Sequence, residues 1–267
     1  MTSVVGGSAI DRLAPISLVE LDARAALQTR VDRKYVVPLD ALEPLLRQTD
    51  PGARVLEIGG ARDFAYESVY FDTPDLTSYL GAAHRRRRRF KVRTRTYVDS
   101  RQCWMEVKTR GPRGSTVKTR LPHDPDQRGR LTPAGLRFAD EVLERAAIPS
   151  TGAAPFVPTL VSRYHRTTIH LPGDSRTTID TGLVWADPVS GVEVALPGFA
   201  IVETKTGSTP SSTDRLLWRH RLRPVRISKY GTGMAALHPE LPATPWRRVL
   251  GRHVPAVASD RLSTPTA

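Results

Sequence analysis

Between residues 30 and 206 the chain alternates apolar and polar positions with a period of two over segment after segment, the pattern of strands with two unlike faces. Such runs, or runs enriched in β-branched residues, cover 30–37, 66–72, 86–98, 102–110, 115–121, 160–170, 175–184, 192–195 and 199–206. Gly-Pro-Arg-Gly at 111–114, Pro-Gly-Asp at 172–174 and Asp-Pro-Val-Ser-Gly at 187–191 supply turns, and strands joined so closely pair antiparallel. Helical signals are fewer. Asp40 and Glu43 suit a capping box for 41–48, Thr132-Pro133 opens 133–147, Ser212 or Thr213 caps 213–222, and 230–237 is a short further segment. The pattern predicts an α+β protein, mainly antiparallel β, with helices packed outside the sheet. A closed barrel is the expected architecture and a two-sheet sandwich is the alternative, since periodicity does not report closure. Residues 1–15 and 245–267 hold no sustained period and read as flexible tails, leaving 16–244 as one unit.

The charges follow the same period. Side chains at i, i+2 and i+4 share one face of a strand, so Arg87, Arg89, Lys91, Arg93 and Arg95 fall together while Phe90, Val92 and Thr94 take the other side. Asp32 with Lys34, Glu106 with Lys108 and Arg110, Lys118 with Arg120, Arg176 with Asp180, and Glu203 with Lys205 repeat the arrangement. A solvated outer face would explain any one of these strands. For the set, a charged lumen behind a helix-covered wall fits better, because an aromatic content of 6% leaves a modest core for an open sheet. Crowded inward cations repel one another unless a multiply charged anion fills the space, so the expectation is a tunnel for an oligoanion. The inward carboxylates Glu106, Glu203, Asp32 and Asp180 neutralise neighbouring cations or, together, hold a hard divalent ion with phosphate oxygens completing its shell; Glu203 leads as a ligand, with Glu106 beside it.

Composition adds the sign of the partner. Among 267 residues, 40 Lys+Arg against 27 Asp+Glu give a formal charge of +13, which points to a polyanion: phosphate compounds, nucleic acid or anionic lipid. No apolar run is long enough to cross a bilayer as a helix, and the first residues carry neither a basic leader nor an apolar stretch, so a cytoplasmic address is expected. The single Cys103 excludes an internal disulfide and a multi-cysteine zinc site. There is no P-loop, no GxGxxG, no HExxH and no GxSxG, so phosphate binding here uses none of the Gly-rich loop devices and hydrolysis no such nucleophile. The basic strands lack regularly interleaved aromatics for base stacking, so nucleic acid is expected to bind only nonspecifically.

Several segments carry a family resemblance. Arg30-Val-Asp-Arg-Lys34-Tyr35, Tyr70-Phe-Asp-Thr73, Lys91-Val-Arg93-Thr-Arg95, Glu106-Val-Lys108, Tyr164-His-Arg166-Thr, Arg176-Thr-Thr-Ile-Asp180, Val202-Glu203-Thr-Lys205 and Ile227-Ser228-Lys229-Tyr230 occur in this order. The chain thereby resembles the VTC domain, the polyphosphate polymerase domain of the vacuolar transporter chaperone complex and its bacterial relatives, within the triphosphate tunnel metalloenzymes (CYTH-like). The resemblance spans about residues 24 to 238. It implies a closed eight-stranded antiparallel tunnel gripping a triphosphate, with a Mn²⁺ or Mg²⁺ ion held by a glutamate. Carried onto this sequence, Lys34, Arg93, Arg95, Lys108, Lys118, Arg166, Arg176 and Lys229 would bind phosphate oxygens. Of these, Lys34, Arg93, Arg95, Lys108 and Arg166 would be the catalytic set; Ser228 would add a hydroxyl and Glu203 would hold the metal. The implied reaction moves the terminal phosphate of ATP to inorganic polyphosphate. A triphosphate hydrolase of the same fold and a noncatalytic polyphosphate- or RNA-binding module are the alternatives. Asp32 stands where the family commonly shows Glu, and the five arginines at 85–89 exceed the motif. A transport role would need a separate membrane partner.

Overall fold

The structure, a computed structural model, describes residues 8–24, 31–110, 116–149, 155–173 and 175–255. In chain order its elements are β1 (Ala14–Ile16), α1 (Leu18–Arg24), β2 (Val31–Pro38), α2 (Leu39–Leu46), β3 (Arg54–Leu56), β4 (Phe64–Asp72), α3 (Thr77–Ala83), β5 (Phe90–Tyr97), β6 (Gln102–Arg110), β7 (Thr116–His123), α4 (Pro133–Arg145), β8 (Val157–Leu171), β9 (Ser175–Ala186), β10 (Glu193–Ala195), β11 (Phe199–Thr206), α5 (Ser212–Arg219), α6 (Lys229–Leu237) and α7 (Arg247–His253). The protein is α+β and mainly antiparallel. Eight strands run in the order β2-β11-β9-β8-β4-β5-β6-β7, while β3 and β10 pair onto β8 and β9. The register ends at β2 and β7: among the described residues no hydrogen-bonded pairing joins these two edges, so the expected closure of the barrel through its backbone is not made. The sheet nonetheless wraps around a cavity bordered by all eight strands.

The outward face of the sheet is apolar and covered. Val69, Phe71, Phe90, Val92, Met105 and Val107 pack beneath Ala139, Val142 and Leu143 of α4. Tyr35, Val37, Ile179 and Val202 pack beneath Leu45 of α2 and Leu216 and Leu217 of α5. Each fully buried side chain of this kind stabilises by about 1.5–3 kcal/mol, which fixes the parity of every strand and sends the alternate, charged positions inward. Thr132 caps α4 with Pro133 in its first turn, as read from sequence. Two other caps differ: the N-cap of α5 is Ser211, in a box with Asp214, and α2 begins at Leu39 after Pro38 with no side-chain cap.

Helix α6 corrects the expectation that every helix lies outside. Val36, Tyr70, Leu160, Tyr164 and Ile201 belong to the inward parity, yet they form one buried cluster with Tyr230, Met234 and Ala235 of α6, Tyr79 of α3 and Val249 of α7. The helix therefore fills the concave side of the sheet at one end. Its glycines permit this: a Cβ on Gly231 would stand 2.1 Å from the Trp246 ring, and one on Gly233 would stand 2.4 Å from Trp185. Asp72, at the end of β4, holds the assembly together by accepting the backbone N–H groups of Ser78 and Tyr79 at 2.8 Å and the Tyr230 hydroxyl at 2.5 Å. The flexible-tail reading also needs correction where the chain is described. Trp246 and Val249 are buried core residues and α7 is helical, while at the other end Ala9 is buried and β1 pairs β3. The turn at 111–114 lies outside the described residues, as do 1–7 and 256–267 of the two tails.

Candidate functional site

The inward positions border one cavity of about 1590 Å³. Lys34, Arg93, Arg95, Glu106, Lys108, Lys118, Arg166, Arg176, Glu203, Ser228 and Lys229, all selected from sequence, line it. Strand parity brings most of them there, on the face opposite a packed helix; Ser228 and Lys229 arrive instead at the N-terminus of α6.

Register arranges the charges into rows. Lys91 of β5 stands directly opposite Lys108 of β6, which stands opposite Lys118 of β7. Like charges opposite one another on neighbouring strands destabilise a sheet. One step along, the next row is mixed: Arg93 faces Glu106, which faces Arg120. Glu106 is 2% exposed and accepts Arg93 Nε at 2.8 Å, with Lys118 Nζ at 3.5 Å from its other oxygen. Its carboxyl is held far below the usual carboxylate range: burial opposes this, but Arg93, Arg95, Lys118 and Lys108 prevail. Glu106 thus serves as the counter-ion of Arg93, which leaves little room for the metal-ligand role assigned to it. Arg93 also donates to the Tyr70 hydroxyl at 3.1 Å, and Arg95 lies over Tyr66.

On the opposite wall Asp180 is a buried counter-ion too. It accepts Arg166 Nε at 2.6 Å and Nη2 at 2.8 Å, and pairs with Lys229. The Lys229 ammonium lies 4.2 Å from the Tyr164 ring centroid. Ser228 caps α6: its Oγ accepts the Gly231 N–H at 3.1 Å and Lys91 Nζ at 2.7 Å, leaving its own proton free to donate into the cavity. Glu203 pairs with Lys205 at 2.9 Å, and Lys34 and Arg166 add to the field that depresses its carboxyl well below the ordinary range against the opposing effect of burial.

Two lysines outside the chosen set emerge as part of the site. Lys91 and Lys205 share its strands and parity, a signal already present in the alternation. Burial, with Lys34, Arg93 and Arg89 nearby, brings the Lys91 ammonium down to about 7; burial brings Lys205 down to about 8 even though Glu203 opposes it. Lys108 is lowered well below its ordinary value, chiefly by burial and then by Arg93. The unfolded chain holds more protons on these groups between about pH 7 and their ordinary values. Their burial therefore destabilises the fold most below about pH 7, and the cost disappears as pH rises through that window. A bound oligoanion restores the protonated forms. Binding of tripolyphosphate at pH 8.5 is expected to take up about one proton or more per site, with affinity weakening as pH rises from 7 to 9.5. Calorimetry in two buffers of different ionisation enthalpy measures this directly; no uptake, or release, contradicts it.

A divalent ion would find no cage built by protein alone. Among the described residues, no three His, Cys, Asp or Glu side chains cluster. Asp180 and Glu106 are committed to arginines, which leaves Glu203 as the carboxylate best suited to a hard cation. One carboxylate plus phosphate oxygens and water is a donor set that Mg²⁺ or Mn²⁺ accepts. The residues fit an ion that arrives with the phosphate chain.

Residues 29–238 match the VTC domain. The chain belongs to the VTC domain family. Among curated proteins none matches the sequence. Solved structures similar to this VTC domain include that of HpAC1 from Hippeastrum, described as having a dominant triphosphatase activity (14% identity, 78% of this chain and 96% of that one, TM-score 0.49). The PH1819 protein of Pyrococcus horikoshii is similar at 14% identity (79% and 98%, TM-score 0.44), and the inorganic triphosphatase NE1496 at 16% (68% and 76%, TM-score 0.29). No described helix of this VTC domain is long and apolar enough to cross a membrane.

Proposed function

We propose that this VTC domain is a metal-dependent phosphotransferase of the polyphosphate polymerase type, which moves the terminal phosphate of ATP to a polyphosphate chain inside the basic cavity. The in-register row Lys91, Lys108 and Lys118 carries the reading, since three lysines opposed across neighbouring strands of one cavity wall, with only Lys118 close to a carboxylate, are best stabilised by an oligoanion. In the transfer, the bond from the γ-phosphorus to the β–γ bridging oxygen breaks, a bond to the terminal oxygen of the chain forms, and ADP leaves. Such a step needs alignment and charge neutralisation more than a protein nucleophile. Lys108, Lys91, Lys118 and Arg95 would meet the phosphates from β5–β7. Lys34, Arg166, Arg176 and Lys229 would meet them from the opposite wall, with Ser228 donating its hydroxyl between the two. Glu203 would hold Mn²⁺ or Mg²⁺, which when bound would supply charge neutralisation to the phosphoryl group being transferred.

The test incubates the protein with ATP and either metal, following chain length on a gel and free phosphate together. Chain growth is the expected result. Free phosphate without chains would make the protein a triphosphate hydrolase; tight polyphosphate binding without either product would make it a binding module. Glu203→Gln is expected to raise the metal concentration needed for half-maximal activity by about tenfold or more. An unchanged metal titration would remove Glu203 from the ligand set.

A further inference from the structure

Of the five arginines at 85–89, Arg86–Arg89 do not form the strand expected over 86–98: β5 begins only at Phe90, and Arg85–Arg88 are exposed. Their position is defined by register. The Arg110 N–H donates to the Arg89 carbonyl at 2.9 Å, so the run sits where β5 starts and β6 ends, at one mouth of the cavity. Arg85, Arg87, Arg89 and Arg110 line that mouth. The other end, where Tyr97 pairs with Gln102 and Lys205 with Asp32, is bordered by Asp22, Asp32 and Asp99 interspersed with Arg33, Arg176 and Lys205, so its charge is mixed. One opening is therefore lined by cations alone and the other by both signs, and a polyanion emerging from the interior is drawn more strongly to the arginine mouth.

Backbone conformation gives a second and independent observation. Helix α3 ends in a paired cap: the Arg85 N–H donates to Ala82 O and the Arg86 N–H to Gly81 O. Arg85 occupies the left-handed position of this cap, φ 56°, where glycine is the usual residue. An arginine there costs about 1 kcal/mol relative to glycine. Among the described residues no carboxylate pairs with Arg85, Arg86, Arg88 or Arg89. The fold thus tolerates a strained arginine at position 85 and, beside it, exposed cations at 86 and 88 that no carboxylate neutralises among the described residues.

We infer that Arg85 and Arg87 form an external binding track for the part of a long polyphosphate chain that extends beyond the cavity through this mouth. The inference rests on the phosphotransfer reading and deepens it: the interior holds the reacting phosphates, while the track makes affinity depend on chain length. Guanidinium groups suit this role because they bind phosphate oxygens in pairs and remain charged at every working pH.

The experiment measures binding of tripolyphosphate and of polyphosphate some tens of units long at about 0.15 M ionic strength. It compares wild type, the double variant Arg85→Gly/Arg87→Ser and the control Arg86→Ser/Arg88→Ser, whose residues lie outside the cavity lining. The first double variant is expected to fold at least as well as wild type, to lose about tenfold in long-chain affinity and to keep tripolyphosphate affinity within about twofold. The control, with the same net charge, is expected to lose less than about threefold. Equal losses for both chain lengths, or equal losses in both variants, would overturn the track. So would unchanged long-chain affinity with lost binding to phosphatidylserine vesicles, which would assign the run to a membrane surface. Wild type that binds neither phosphate compound would end the phosphotransfer reading itself; wild type that binds both without preference for length would end the track alone.

Discussion

Replacing Lys108 by alanine is expected to lower phosphotransfer by about 100-fold or more while leaving the melting temperature unchanged or higher. The two effects have one cause. Lys108 occupies the centre of a row of three lysines, with Lys91 on one side and Lys118 on the other. Its ammonium is buried near Arg93 and Arg95, and the charges of Glu106 and Glu203 only partly offset burial and these cations. In the ligand-free protein this charge is a burden, so truncation removes repulsion along with some packing. In the presence of triphosphate it is a donor at the centre of the anion, and no neighbouring side chain can reach the same point without leaving its own row. Thermal unfolding and initial rates on the same preparation check both halves. A clear drop in melting temperature would make Lys108 a structural residue, and retained activity would empty the row of its catalytic meaning. Arg93→Ala is the instructive contrast, because it strands the buried Glu106 carboxylate and trades activity loss for unfolding.

The contrast shows which parts of the site the sequence made legible. Face sharing is a local property of a strand, so the convergence of Lys34, Arg95, Lys108, Lys118 and Arg176 on one cavity was readable from their spacing. Cross-strand pairing is not local. Whether Glu106 binds a metal or neutralises Arg93 depends on a register between β5 and β6 that no single segment encodes. The run Arg86–Arg89 contains no apolar position, so its apparent membership of a strand rested only on what followed it. Parity also misled in one respect. Parity is not uniform in character along each strand, because Val36, Tyr70 and Ile201 share the charged face and are apolar. Those three positions were the visible sign that something would fill one end of the lumen, and α6 does.

Missed elements have equally concrete causes. Strands β1 and β3 hold three residues each, too few for any period to show. Helix α3 has no side-chain cap from its N-cap residue, Leu76, which is left-handed; the Thr77 N–H donates to the Thr73 hydroxyl and those of Ser78 and Tyr79 to Asp72, which belongs to β4. Helix α7 starts after Trp246, whose ring packs where Gly231 of α6 leaves room, a contact that only the folded chain makes. The Tyr-Phe-Asp-Thr segment at 70–73 was recognisable as a motif, but its function as the anchor for Tyr230 was not, because that contact crosses 158 positions.

Asp180→Ala carries the second large effect and separates a counter-ion from a catalytic carboxylate. Asp180 is 1% exposed, and its carboxyl is held below the ordinary range by Arg166 and Lys229 against the opposing cost of burial. Its contribution to stability is therefore present above the unfolded carboxylate range and is lost as pH falls through the lowered native value. Removal leaves two cations without their buried partner, and loss of one member of such a set costs about 3–5 kcal/mol. The lower end applies here, because Arg166 and Lys229 border the cavity and can turn toward it. Both freed cations then face the space a triphosphate would occupy. The variant is accordingly expected to unfold several degrees below wild type without ligand and to recover more of its stability than wild type gains when tripolyphosphate is added, because the anion replaces the missing charge. Melting curves across a tripolyphosphate titration give the comparison. A ligand-induced gain equal to that of wild type would mean that Arg166 and Lys229 do not reach the bound phosphates, and the wall they form would no longer belong to the site.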